Sequence, residues 1–255
     1  MSRSRLYNTQ AIILRRVDMG EADRLLTILT PARGKMKVMA KGVRKLTSRK
    51  TGHVELFTRV QFVLAQGHTF DVASQADTIE PYVQLREDVQ RATLAHYVCE
   101  LADAFAQEET DESELYELLA NALQWLCSAS DPQLAVRYVE MRLLTLTGYR
   151  PQLYRCAKTS VPIDVDAAVS KSIIFSAYAG GVLSPDAAKF ARDGVALMPQ
   201  TLNLLRAMLS QPFEALSALH IPADVHFQAE RALRSVLVFV LERKLRSAQF
   251  LKQLT

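Results

Sequence analysis

Cysteine is scarce in this chain of 255 residues. Cys99, Cys127 and Cys156 are widely spaced, odd in number and form no C-x-x-C pair, so no disulfide framework or redox motif can be built from them. Long apolar runs are missing too. The longest, Val236–Leu241, is far too short to cross a bilayer, and the basic N-terminus lacks the apolar core of a secretory signal. A cytoplasmic protein without membrane contact is expected. There is no phosphate-binding glycine loop, because the one Gly-Lys pair, Gly34-Lys35, runs into Met36 without the Walker spacing. No His-Glu-x-x-His occurs; His53, His68, His96, His220 and His226 are scattered and read as surface or hydrogen-bonded side chains. The acids Glu108, Glu109, Asp111, Glu112, Glu114 and Glu117 suit the start of a helix, whose dipole favours them, better than a nuclease metal site. Neither catalysis nor a cofactor is expected.

What is abundant is positive charge in one place. The composition is that of a globular protein, 49% hydrophobic and 23% charged, and the formal net charge is only +4. Residues 1–60, however, hold fourteen Lys or Arg against four Asp or Glu, a net +10, which leaves −6 for the remainder. The focus is the stretch Arg33, Lys35, Lys37, Lys41, Arg44, Lys45, Arg49 and Lys50, with no acid among them. In its first half Met36, Val38 and Ala40 alternate with Lys35, Lys37 and Lys41, the period of a strand with one apolar and one cationic face. The second half, Arg44–Gly52, lacks periodicity and reads as a mobile basic loop. A single-sign surface repels itself, and a polyanion such as nucleic acid relieves that repulsion. No aromatic residue lies in the stretch, so it offers phosphate contact without base stacking.

Around it, residues 1–80 read as about five strands: Thr9–Arg16, Arg24–Thr30, Lys35–Val43, Val54–Ala65 and Phe70–Ala76, with turns at Gly20, Pro31–Gly34 and Gly67-His68. That pattern fits a small closed barrel, and the OB-fold is the commonest one that binds nucleic acid. From Pro81 the texture is helical. Prolines 81, 132, 185, 199, 212 and 222 suit first-turn positions, Asp131 and Ser184 suit caps, and Gly148 suits a C-terminal cap. Leu115, Leu118, Leu119, Ala122, Leu123 and Leu126 form one helical stripe; Leu134, Tyr138, Met141, Leu144 and Thr145 form another. The last helix, about Pro222–Lys252, contains Val236–Leu241, apolar all round and expected inside a bundle. Residues 151–193 are a less regular excursion with a strand near Ser172–Ser176 and a turn at Gly180-Gly181. The fold class is therefore α+β and multidomain: a five-stranded OB-fold barrel over 1–80, then a helical domain over 81–255.

Ala11-Ile12-Ile13-Leu14, Gly20-Glu21-Ala22-Asp23, Leu29-Thr30, Gly34-Lys35 and Ala40-Lys41-Gly42-Val43-Arg44 together resemble the RecO family of recombination mediators, as do Met141–Pro151 with Leu153, Cys156 and Gly180-Gly181. The resemblance implies a DNA-repair protein that binds single- and double-stranded DNA, anneals complementary strands and, with RecR and RecF, assists RecA on DNA coated by the single-strand binding protein SSB. It also implies contact with the acidic, apolar-ended SSB tail, for which Arg231 and Arg234 (with Arg243, Lys244 and Arg246) are candidate cations, and a nucleoid-associated location. The eight cations of the basic stretch become the DNA-binding candidates. The excursion at 151–193 corresponds to a zinc ribbon in zinc-bearing relatives, but here Cys156, Thr159, Ser184 and Ala187 stand where four cysteines would, so no metal is expected. Packing of Ile173, Phe175, Tyr178 and Val182 is expected to hold the segment instead. The rival readings are a plain single-strand-binding OB protein without annealing activity and a metal-dependent nuclease.

Overall fold

A computed structural model of the chain describes residues 6–165 and 173–241, in two compact units that divide between Ser128 and Ala129. The first unit is built on strands β1 (Leu6–Met19), β2 (Asp23–Thr30), β3 (Gly34–Ala40), β4 (Arg59–Ala65) and β5 (Asp71–Glu80). They close into a barrel in the order β1-β2-β3-β5-β4, antiparallel except for a short parallel pairing of β3 with β5. Ala11, Ile13, Leu26, Ile28, Val38, Ala40, Val60, Phe62 and Leu64 fill its interior. Alternation explains this inner set, and a bulge between Ile13 and Arg15 shifts the register of β1 against β2. The unbroken run Ala11–Leu14 is buried on both faces, since α2 (Val89–Phe105) lies against β1. Helices α1 (Gln84–Glu87) and α3 (Ser113–Ser128) complete the unit, and the whole stripe Leu115–Leu126 is buried as expected.

Several boundaries differ from the sequence expectation for physical reasons. β1 and β5 are longer, and β3 stops at Ala40 because Gly42 turns the chain at φ +64°. Val54 and Leu56 do face the barrel core, but not on a strand. Residues 54–58 plug the barrel end, with Phe57 at φ 70° and its N–H donating to Ile13 O at 3.0 Å. Pro81 starts no helix, since Tyr82 comes next at φ 45° and α1 begins at Gln84.

The second unit contains α4 (Pro132–Leu146), a three-stranded antiparallel sheet of β6 (Ile173–Ser176), β7 (Gly181–Leu183) and β8 (Gly194–Leu197) in the order β7-β6-β8, then α5 (Pro185–Ala188), α6 (Pro199–Ser210), α7 (Phe213–Ser217) and α8 (Ala223–Leu241). Asp131 caps α4 through Leu134 N–H at 3.0 Å. Gly148, at φ +84°, ends it, with Tyr149 N–H returning to Leu144 O at 2.7 Å. Prolines 132, 185 and 199 occupy first-turn positions, whereas Pro212 stands one place earlier, as the cap residue of α7. Ser184 precedes α5 but makes no capping bond. The run Val236–Leu241 is not enclosed: Val236 and Leu237 are buried, while Val238 and Phe239 are exposed. An apolar run on a helix thus need not mean burial all round. Ile173, Phe175 and Val182 anchor the sheet as expected, but Tyr178 does not, being 73% exposed.

Candidate nucleic-acid interface

On β3 the alternation is realised. Val38 and Ala40 point into the barrel with Met36, and Lys35 and Lys37 take the other side, while Lys41 falls just past the strand. Thr27 pairs with both Lys37 and Arg15 across the ladder, so these three residues form one outward row over β1, β2 and β3. The eight candidate cations then divide into two groups.

Four are engaged by the fold itself. The Lys35 ammonium donates to Asp103 O at 2.6 Å and lies 3.3 Å from the Asp103 carboxylate, which Arg15 also approaches at 3.6 Å. Arg33 stands 3.6 Å from Asp71 and over the Tyr7 ring, 5.0 Å from its centre; Tyr7 in turn donates to Asp71. Burial, with that carboxylate's help, pushes the Tyr7 phenol well above its ordinary range, so it remains a donor. Arg44 donates to Gly20 O at 3.1 Å and sits 3.4 Å from Asp18. Lys50 donates to Ala73 O at 2.8 Å, and burial lowers its pKa although Asp23 acts the other way.

The other four, Lys37, Lys41, Lys45 and Arg49, are exposed and have no ion-pair partner among the described residues. Lys37 lies on the strand, and the other three come after it. Arg16 and Arg24, also basic, are neutralised on the barrel by Glu55 and Asp18. The stretch expected as a mobile loop is a succession of turns. Gly42 N–H donates to Asp23 at 2.7 Å, Ser48 N–H to Lys45 O at 2.9 Å, and Thr51 Oγ1 to Val43 O at 2.6 Å. Val43 and Val54, both fully buried, hold its two ends. Asp23 of the Gly-Glu-x-Asp element therefore organises the turn after β3. Phe57 and Phe62 are buried, and Phe70, half-buried, lines one cleft with Lys37, so no exposed Phe, Tyr or Trp ring stands beside these cations.

The acids of residues 108–117 serve the local chain. Glu112 accepts from Gln107 N–H at 3.0 Å, and Asp111 accepts from Ser113 N–H at 3.0 Å. Glu108 and Glu109 line a polar cleft of about 310 Å³ with Arg33, Lys37 and Asp71, so its signs are mixed. His226 pairs with Asp131 at 2.7 Å and His53 with Thr78 at 2.9 Å.

In the second unit, Arg231 lies over the exposed Phe227 ring at 5.6 Å, and Arg234 pairs with Glu230 at 3.9 Å. The apolar cleft of about 440 Å³ there is lined by Leu204, Leu219, Ile221 and Val225 and includes neither arginine. Arg243, Lys244 and Arg246 lie outside the described residues. The ribbon likeness of 151–193 finds no support in the geometry. Burial would raise the Cys156 thiol, but the hydroxyls and N–H groups of Ser184 and Thr159 outweigh it and hold the pKa at about 6. One sulfur, two hydroxyls and the methyl of Ala187 do not suit zinc, and no metal-binding group of three or more His, Cys, Asp or Glu occurs among the described residues. Among them, too, no helix is long and apolar enough to cross a membrane.

The sequence reading missed the exposed rings of Tyr178 and Phe190. Their signal was an aromatic set among small and polar neighbours, in Ser-Ala-Tyr-Ala-Gly and Ala-Lys-Phe-Ala-Arg.

Comparison with known proteins agrees with the barrel and with the helical region after it. The family described as "Recombination protein O N terminal" matches residues 1–82, and "Recombination protein O C terminal" matches 86–249. DNA repair protein RecO of Roseiflexus sp. is 39% identical over 249 residues, covering 98% of this chain and 86% of its own. Its counterpart in Dehalococcoides mccartyi strain BAV1 is 34% identical over 96% of this chain and 94% of its own, and that of Pelotomaculum thermopropionicum 35% over 97% and 94%. With both halves matched and relatives aligned almost end to end, the chain belongs to the RecO family of DNA repair and recombination proteins.

Proposed function

We propose that this chain is a non-enzymatic recombination mediator that binds single- and double-stranded DNA, anneals complementary strands and, with RecR and RecF, helps RecA load onto DNA coated by SSB. One observation carries the reading: four cations without an ion-pair partner among the described residues project from β3 and the turns after it, with no exposed aromatic ring among them. Such a surface neutralises phosphate on any strand and leaves bases free to find their complements. In this reading Lys37, Lys41, Lys45 and Arg49 meet the phosphates. Arg33, Lys35, Arg44 and Lys50, engaged by the fold, position the strand and turns and add to the local potential. Residues 1–80 serve DNA, and 81–255 serve chiefly partners. Arg231, stacked on an exposed Phe227, is the cation best placed for the terminal carboxylate and apolar end of the SSB tail, with Arg234 beside it on the helix.

The test is an annealing assay with labelled complementary oligonucleotides, run with and without divalent metal. Annealing without metal and without strand cleavage is expected, and it should fail when the four free cations become alanine. Binding without annealing would favour a plain single-strand coat. Metal-stimulated cleavage dependent on Glu108–Glu117 would favour a nuclease, a reading opposed by the turn bonds of Asp111 and Glu112.

A further inference from the structure

The second unit exposes what the barrel hides. Tyr178 is 73% exposed and Phe190 77%, and both line one cleft of about 280 Å³ with Lys158 and Arg192. Phe239, also exposed, meets Tyr178 edge-on at 6.2 Å. Single exposed rings are ordinary, but two lining one cleft, with a third set edge-on to one of them, mark a contact surface.

Neither cleft ring hangs on a loose end. Tyr178 N–H donates to Asp193 at 2.8 Å; Asp193 takes the Ser176 hydroxyl at 2.5 Å, and Ser176 Oγ accepts from Ala179 N–H at 3.0 Å. The turn is closed by Gly181, where any Cβ would overlap the Gln152 carbonyl of the neighbouring segment. Phe190 comes after α5 in a turn whose N–H donates to Ala187 O at 3.3 Å, while Ala188 and Ala191 pack inward around Cys156 and Leu183. The backbone is thus fixed and the rings face water. Lys158 and Arg192 are exposed and have no ion-pair partner among the described residues, and the one carboxylate in the cleft, Asp193, is occupied by the turn.

We infer that this cleft is a second nucleic-acid site, which takes unpaired bases on Tyr178 and Phe190 and the adjoining phosphates on Lys158 and Arg192. Rings with cations beside them match a single strand, whose bases present π faces next to a charged backbone. A duplex keeps its bases stacked inside and gains nothing from the rings. An apolar protein partner would not use the two free cations. The inference rests on the DNA-binding reading above and adds a selectivity for single strands that the barrel surface cannot supply.

The test is the full chain carrying Tyr178→Ala and Phe190→Ala, with anisotropy measured on labelled oligo(dT) and on a duplex of equal length. Both rings are exposed, so the variant should melt with the wild type. Oligo(dT) affinity should fall on the order of tenfold, as loss of base stacking does, with duplex affinity and salt slope unchanged. A separate Tyr178→Trp variant should keep affinity and lose indole fluorescence on oligo(dT), beyond any change from Trp125 in the wild type. Unchanged oligo(dT) affinity, or an equal loss on duplex, overturns the inference while leaving the barrel site standing. So does loss of a protein partner with DNA binding intact. A wild type that binds neither DNA overturns the DNA reading itself.

Discussion

On the barrel, the exposed side chains that stand out are cations with no exposed aromatic ring among them; beside the β6–β8 sheet they are rings with two cations free of ion pairs among the described residues. The first arrangement reads a charge that every strand carries, the second a face that only unpaired bases offer. Salt should weaken binding at the first, with its four cations, more steeply than at the second, with two. In the function proposed above, one surface would supply grip and the other discrimination.

The largest effect is expected when both surfaces are removed together. A chain with alanine at Lys37, Lys41, Lys45, Arg49, Tyr178 and Phe190 should lose on oligo(dT) the product of the two separate losses, within about 0.5 kcal/mol of additivity. Strong non-additivity in anisotropy titrations would make them one surface and break the comparison. Alanine at the four cations alone should weaken duplex and single strands alike. The slope of log affinity against log salt should become shallower by about 3.6 units for duplex and about 2.8 for single strands, if each cation meets one phosphate.

A smaller effect separates engaged cations from free ones. Lys35→Met removes an ammonium whose partners are the Asp103 carbonyl and carboxylate. It should lower unfolding free energy in urea by about 1–2 kcal/mol and leave the salt slope nearly unchanged. A slope change as large as that of Lys37→Ala would move Lys35 into the DNA-contact set. The last effect is one of pH and lies in the second unit. The Cys156 pKa is depressed from its ordinary 9.0 to about 6, so the folded state favours the thiolate. The resulting stability is complete above pH 9 and is lost as pH falls through 6. Thermal unfolding of the wild type should therefore gain stability from pH 6 to 9, and Cys156→Ser should remove that gain.

The barrel was legible because period-two alternation carries its own register: Met36, Val38 and Ala40 declare one face and Lys35 and Lys37 the other. The fate of Lys35 was not, because Asp103 is 68 residues away and a charged residue on a strand does not announce its partner. Val54 and Leu56 alternate like a strand and do point into the barrel, yet they reach it from a plug that only the left-handed Phe57 reveals. Tyr178 reads as an anchor in the sequence because apolar character does not say which side of a small sheet is covered. The same ambiguity hid the exposed face of Val236–Leu241. Free and engaged cations look alike in a sequence, so eight candidates stand together there where the structure separates four from four.

Gly34 makes the barrel depend on chain that lies beyond its last strand. At φ +61° it has no room for a Cβ beside the Gln107 carbonyl, and around it the β2–β3 hairpin is sewn to the next segment. Lys35 N–H donates to Gln107 O at 2.8 Å, Glu109 N–H to Arg33 O at 3.1 Å, and Glu112 N–H to Pro31 O at 2.7 Å. Farther round the wall, Arg59 donates to the Tyr116 hydroxyl at 3.0 Å. Cutting after residue 82, where the N-terminal family match stops, would unpick that seam and bare Ile12 and Leu14. The smallest fragment expected to carry the cationic strand in this posture therefore ends after α3, and a length change between Gln107 and Glu112 is an edit to the cationic face made from outside the barrel.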